Sequence, residues 1–135
     1  MQSIRAFRKL APRMTEPLAL LLFEKLLPGT QLVNRLQDMG WRVQTLRDAT
    51  ALLRTAEESK PVLVIADLAP ASPVVCESIA KLRGHASTAH LPVIAFGADE
   101  TQHKAAADAG ATLAVDDTVI LLHLNQFIDQ ALNVF

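Results

Sequence analysis

Lys60-Pro61-Val62-Leu63-Val64-Ile65-Ala66-Asp67-Leu68 is the stretch that decides the fold. Its apolar run follows a proline, shows no alternation, and ends on a carboxylate. A strand with one face in water alternates apolar and polar residues. One that is apolar at every position is covered on both faces, the habit of parallel sheets. Leu18-Ala19-Leu20-Leu21-Leu22-Phe23, after Pro17, and Val93-Ile94-Ala95-Phe96, after Pro92, repeat the pattern.

Working outward, the segments between these runs carry helical spacing. Leu32, Val33, Leu36 and Met39 recur at three and four and stop at Gly40, a good C-cap residue. Trp41 to Leu46 alternates as an edge strand does. Asp48 suits the N-cap of a helix holding Ala51, Leu52 and Ala56 and running to about Ser59. Pro73 suits the first turn of a helix with Val75, Ile79 and Leu82, closed near Gly84. Asp99 and Glu100 match the positive end of a helix that stops at Gly110. Thr112 to Val115 reads as a fifth strand. Asp117 or Thr118 then caps a last helix with Ile120, Leu124, Phe127, Ile128, Ala131 and Phe135 on one face. Strands alternating with helices imply a five-stranded, parallel, doubly wound α/β sheet in the order 2-1-3-4-5.

Composition agrees. The chain has 135 residues, half of them hydrophobic, with one cysteine and no tyrosine. That length suits one domain, and the apolar content excludes intrinsic disorder. A single cysteine excludes a disulfide scaffold and points to a reduced, cytoplasmic setting. The net charge of −1 hides an asymmetry, because Arg5, Arg8, Lys9 and Arg13 stand in residues 1–14 with no acid among them. Residues 1–16 therefore read as a basic, flexible N-terminal extension to a domain over 17–135. The extension admits three readings: a loosely docked tail, an arm for an anionic partner, or a targeting segment. The run Leu18–Phe23 is too short to span a membrane, and no basic, aromatic-studded surface marks a nucleic-acid partner.

In a sheet of this order, ligands bind where the carboxyl ends of strands 1 and 3 lie side by side. Phe23 and Glu24 follow the first strand, and Asp67 ends the third. Two converging carboxylates suit a hard cation such as Mg²⁺, and Asp67 is placed as a nucleophile towards a phosphoryl donor. The plainer alternative is that each carboxylate caps a loop or is simply solvated.

Lys60 to Leu68 resembles the third strand of response-regulator receiver (CheY-like) domains, which ends in the phospho-accepting aspartate. Leu32 to Val43, Leu91-Pro92-Val93-Ile94-Ala95-Phe96 and Ala107-Asp108-Ala109-Gly110-Ala111 resemble further parts of that family, so the likeness covers about residues 17–135. It implies a phospho-acceptor at Asp67, Mg²⁺ held by Glu24 and Asp67, and a histidine kinase as partner of an intact site. The departures are specific. Phe23 stands at the first position of the family's acidic pair, and Gly97, followed by Ala98, at its Thr or Ser. Ala114 stands near its switch aromatic, and Asp116 or Asp117 near its lysine. A unit charge pair at 4 Å is worth roughly 4 kcal/mol at an effective dielectric of 20 and about 1 in water, so exchanging attraction for repulsion matters.

Weaker features complete the chain. Cys76 stands near a helix start but reads as a small hydrophobe. His85 and His90 are a poor metal pair without a third ligand. Pro28-Gly29-Thr30 would offer a helix N-terminus to a flavin or nucleotide phosphate. Val119, Leu121, Leu122, Leu132 and Val134 add a second apolar side to the last helix, the mark of a contact with a partner or with a second copy. The expectation is a degenerate receiver acting as a protein-binding module through Leu121, Leu122 and Leu132. It requires no cofactor, and its only chemistry would be phosphoryl acceptance on Asp67. The alternatives are an atypical acceptor using Asp67, Glu24 and Mg²⁺, and a small flavin- or nucleotide-binding domain.

Overall fold

A strand buried on both faces sends alternate side chains into two separate layers, so one apolar run builds two cores. The computed structural model describes residues 16–24, 26–69 and 72–133. Its strands are β1 (Leu18–Leu22), β2 (Arg42–Leu46), β3 (Leu63–Asp67), β4 (Val93–Gly97) and β5 (Leu113–Asp116). Its helices are α1 (Leu26–Asp38), α2 (Leu52–Ser59), α3 (Ser72–Arg83), α4 (Glu100–Ala109) and α5 (Leu124–Asn133). All neighbouring strands are parallel, in the order β2-β1-β3-β4-β5. Every residue of β1, β3 and β4 is buried, whereas β2 and β5 form the half-exposed edges.

The alternation sorts the core. Leu20, Leu22, Val64, Ala66, Val93 and Ala95 face α2, α3 and α4, whose Leu52, Ile79, Leu82 and Ala106 cover them. Ala19, Leu21, Leu63, Ile65, Ile94 and Phe96 face α1 and α5 through Leu32, Leu36, Leu124 and Ile128. The helix ends follow the expected chemistry. Asp99 caps α4 by accepting the Gln102 N–H at 2.9 Å, and Gly110 closes that helix at φ +115°.

Three local expectations are corrected. Asp48 caps a short 3₁₀ turn, Ala49–Ala51, and α2 begins only at Leu52. Pro28, Gly29 and Thr30 lie inside α1, not in a loop ahead of it. Proline is tolerated there because the first-turn N–H groups have no partner within the helix. The last helix starts at Leu124, and residues 117–123 form successive turns. Asp116 caps the start of this segment. Its carboxylate accepts both the N–H and the hydroxyl of Thr118 at 3.1 Å, while its carbonyl accepts the Val119 N–H at 3.1 Å. Val119, Leu121 and Leu122 therefore precede α5, which presents Asn125, Gln126, Asp129 and Gln130 to solvent. The basic residues 1–14, Val134 and Phe135 lie outside the described residues.

One arginine ties the α3–β4 loop to the end of α4. Arg83 Nε donates to the Gly110 carbonyl at 2.8 Å, and Nη1 donates to the carbonyls of Ala89 and Leu91. Nη2 reaches the Thr112 hydroxyl at 3.3 Å, and that oxygen in turn accepts the Val93 N–H at 3.1 Å. A Cβ on Gly110 would lie 2.6 Å from Arg83 Cγ, so positive φ and close approach both demand glycine. Arg83→Lys keeps the charge but loses the planar fork. Chemical denaturation is expected to show Arg83→Lys less stable than wild type by about 1 kcal/mol, from part-buried carbonyls of Gly110 and Leu91 left without donors.

Candidate functional site

Parallel pairing brings all five carboxyl ends to one edge of the sheet. The register pairs Leu22 with Leu46 on one side and with Ala66 on the other. The next residues outward, Arg47, Phe23 and Asp67, therefore stand abreast on β2, β1 and β3. Strands are spaced about 4.8 Å, so roughly 10 Å separates the outer two backbones. These ends surround a crevice of about 120 Å³ whose lining includes Phe23, Glu24, Arg47, Asp48, Asp67 and Val74.

Asp67 is the buried member, 3% exposed, and its Oδ1 accepts the Ala69 N–H at 2.9 Å. Glu24 is exposed and lines the same crevice, so the two sequence-selected carboxylates do come together. Asp48, also at the crevice, is turned on its own loop. Its Oδ1 accepts the Thr50 hydroxyl at 2.6 Å and the Thr50 N–H at 3.0 Å. The hydroxyl bond first, then the backbone bond and the charge of Arg54, hold the Asp48 carboxyl below its ordinary value.

Phe23 is the residue that the resemblance sets at the first acidic position. It is 5% exposed, and a Cβ on Gly29 would fall 2.2 Å from its Cδ2. The ring thus lies directly on the α1 backbone, and the phosphate cradle expected at Pro28-Gly29-Thr30 is covered. Above the same ring stands Arg47, its Cζ 5.8 Å from the centroid. Sequence reasoning passed over Arg47, although its place directly after β2, beside the switch-point strand, was a usable signal.

The β4–β5 end is closed by its own bonds. A Cβ on Gly97 would meet Gln102 Oε1 at 2.6 Å and the Leu68 side chain at 3.1 and 3.2 Å, while that Oε1 accepts the Ala98 N–H at 2.9 Å. The space a Thr or Ser would use is filled by Gln102. The Gly97 carbonyl accepts the Asp117 N–H at 2.9 Å and His103 Nε2 at 2.8 Å, which makes Nε2 the protonated nitrogen. Asp116, next to Asp117, is held below its ordinary value by the Thr118 N–H first, then by the Thr118 hydroxyl, Asp117 and the charge of His103. Neither Ala114 nor Asp117 lines the crevice.

For the Mg²⁺ that the resemblance implies, the crevice supplies Glu24 and Asp67. The described residues hold no group of three His, Cys, Asp or Glu side chains placed for a metal, and a guanidinium stands on the ring beside them. Glu24 and Asp67 are therefore the residues that would hold the ion, with water completing the oxygen ligation. His85 Nδ1 lies 2.9 Å from the Lys81 carbonyl, and His90 is exposed. Cys76 is half-buried with Sγ 3.9 Å from Ser72 Oγ. Leu121 and Leu132 pack partly against the α1–α5 core, whereas Leu122 is 73% exposed.

The fold recurs in solved structures. A LuxR-family two-component response regulator from Aurantimonas sp. SI85-9A1 superposes with TM-score 0.76 at 20% identity, covering 88% of this chain and 86% of that one. The BeF3-activated N-terminal receiver domain of Klebsiella pneumoniae RstA gives 0.74 at 16%, covering 85% and 97%. A putative response regulator from Chloroflexus aurantiacus J-10-fl gives 0.73 at 17%, covering 84% and 98%. The fold is therefore the CheY-like receiver fold. No family model and no curated protein matches the sequence. Among the described residues, no helix is long and apolar enough to cross a membrane.

The two depressed carboxyls give an acid limb of known sign. A folded-state value below the ordinary 3.8 makes stability complete above 3.8 and lost as pH falls through the folded value. Between about pH 5 and pH 2, Asp48→Asn and Asp116→Asn are expected to lose less stability than wild type. Urea midpoints measured across that range would show it.

Proposed function

We propose that this chain is a receiver-fold signalling module that acts mainly by binding a protein, in the cytoplasm, with Asp67 kept at the acceptor position and the switching parts absent. The observation that carries this reading is the closed β4–β5 end. Gln102 fills the space behind Gly97, and Asp117 follows β5 where the resemblance expects a lysine. Moving a two-state element from 1:99 to 99:1 takes about 5.5 kcal/mol of differential interaction. A hydroxyl, an ammonium and a mobile aromatic supply such terms when present. Here the corresponding residues are Gly97, Asp117 and Ala114.

The partner surface is the turn segment ahead of α5. Leu122, 73% exposed, is its apolar tip, with Leu121 and Leu132 half-buried around it. The occupant would be a signalling protein or a second copy. A histidine kinase fits only the second reading, in which Asp67 accepts a phosphoryl group with help from Glu24. Its support is the convergence of those carboxylates on one crevice, and the description of one structural neighbour as BeF3-activated.

Intact mass spectrometry with acetyl phosphate and Mg²⁺, beside Asp67→Asn, separates the two. The binding-module reading expects little or no label on Asp67 and no change in hydrodynamic behaviour. Stoichiometric label that vanishes in Asp67→Asn, with a structural change, would establish the second reading instead. Leu122→Glu is expected to leave stability within about 0.5 kcal/mol, because the side chain is exposed. If the occupant is a second copy, the same substitution abolishes concentration-dependent self-association in sedimentation velocity.

A further inference from the structure

The sheet beyond β4 is held differently from the rest. Helix α3 buries Val75, Ser78, Ile79 and Leu82, and α5 buries Leu124, Ile128 and Ala131. Helix α4 buries Ala106 alone, and every residue of β5 is only half-buried. Hydrophobic attachment grows with the apolar area removed from water, and Ala105, Ala106, Ala107 and Ala109 each bring a single methyl group. Polar bonds reinforce this pair of elements at both ends. From α3, Arg83 donates to the Gly110 carbonyl at 2.8 Å and to the Thr112 hydroxyl at 3.3 Å, in the turn that joins α4 to β5. At the opposite end, His103 Nε2 donates to the Gly97 carbonyl at 2.8 Å, and that oxygen also accepts the Asp117 N–H at 2.9 Å. We infer that α4 and β5 form one unit that opens separately from the rest of the sheet, and that Arg83 is its latch.

Regions with few buried apolar side chains open at lower free energy than the core. Release of this unit breaks the β4–β5 ladder and leaves β4 as the edge of the sheet, with β2, β1 and β3 still paired beside it. Arginine suits the latch because one planar group spans the line of separation. Its Nη1 is bound to the Ala89 and Leu91 carbonyls on the α3–β4 loop, while Nε and Nη2 hold the unit itself. The seat is close, since a Cβ on Gly110 would lie 2.6 Å from Arg83 Cγ. Arg83 is thus a positioning residue that sets the opening equilibrium of α4 and β5. The inference holds whether or not Asp67 accepts a phosphoryl group, because none of these contacts involves the crevice.

The test is amide hydrogen exchange of the full chain, followed by NMR at several urea concentrations below the unfolding transition, on wild type, Arg83→Lys and Val33→Ala. In wild type, the amides of α4 and β5 are expected to exchange through one common opening. That opening is faster than the one seen by β1 and β3, and it depends less on urea because it exposes less surface. Arg83→Lys is expected to speed exchange in α4 and β5 by about fivefold. Val33 is half-buried on α1, which packs on the opposite face of the sheet from α4, so Val33→Ala keeps the fold. It is expected to speed exchange in β1 and β3 and to leave α4 and β5 unchanged, a split that a merely structural Arg83 would not produce. Exchange of α4 and β5 in wild type only through global unfolding, together with β1 and β3, would overturn the inference. So would a separate opening that Arg83→Lys does not move, or equal acceleration of both groups by Val33→Ala.

Discussion

Burial of β1, β3 and β4 on both faces is the constraint from which the rest of the molecule follows. A strand packed between two helical layers has no solvent face on which to carry charge, because an unpaired buried charge is far too costly. Polar function is therefore pushed to the strand ends, and parallel pairing collects the carboxyl ends on one edge. Asp67 is the one charged residue among the described residues buried to 3%, and it sits at such an end, where the Ala69 N–H meets it.

Along that edge the chain has made two different surfaces. On the β2-β1-β3 side, Glu24, Arg47 and Asp67 surround a small open crevice, with an aromatic ring as its floor. On the β4–β5 side, Gln102, His103 and Asp117 satisfy the backbone of Gly97 and Ala98, and the edge is shut. Receiver-like folds that switch must couple an event at Asp67 to the β4–β5 end. Here that end spends its polar groups on itself. A β4–β5 end bonded to itself is what the proposed reading, a module that holds a shape for a partner, requires.

The apolar periodicities explain why so much was legible. Leu32 and Leu36 pack on the sheet as their spacing requires, and Asp99 and Gly110 bound α4 as capping chemistry demands. The last helix was misread for an equally physical reason. Val119, Leu121 and Leu122 continue a helical pattern in the sequence, but they lie in successive turns that open on the Asp116–Thr118 bonds, and regular helix begins only at Leu124. Of the apolar excess credited to the last helix, Val119, Leu121 and Leu122 belong to that turn segment, and of these only Leu122 is largely exposed.

The sequence by itself determined the parallel sheet, its strand order and the position of Asp67, because those depend on near-neighbour periodicity and on the burial of whole apolar runs. Tertiary structure alone decided which groups face Asp67. Arg47 is twenty residues away along the chain and lines the same crevice only because β2 pairs beside β1 in one particular register. Phe23 became a platform only because Gly29 lets the ring lie on the helix backbone. Contacts between strand ends depend on register and close approach, and neither is written in the local pattern of either segment.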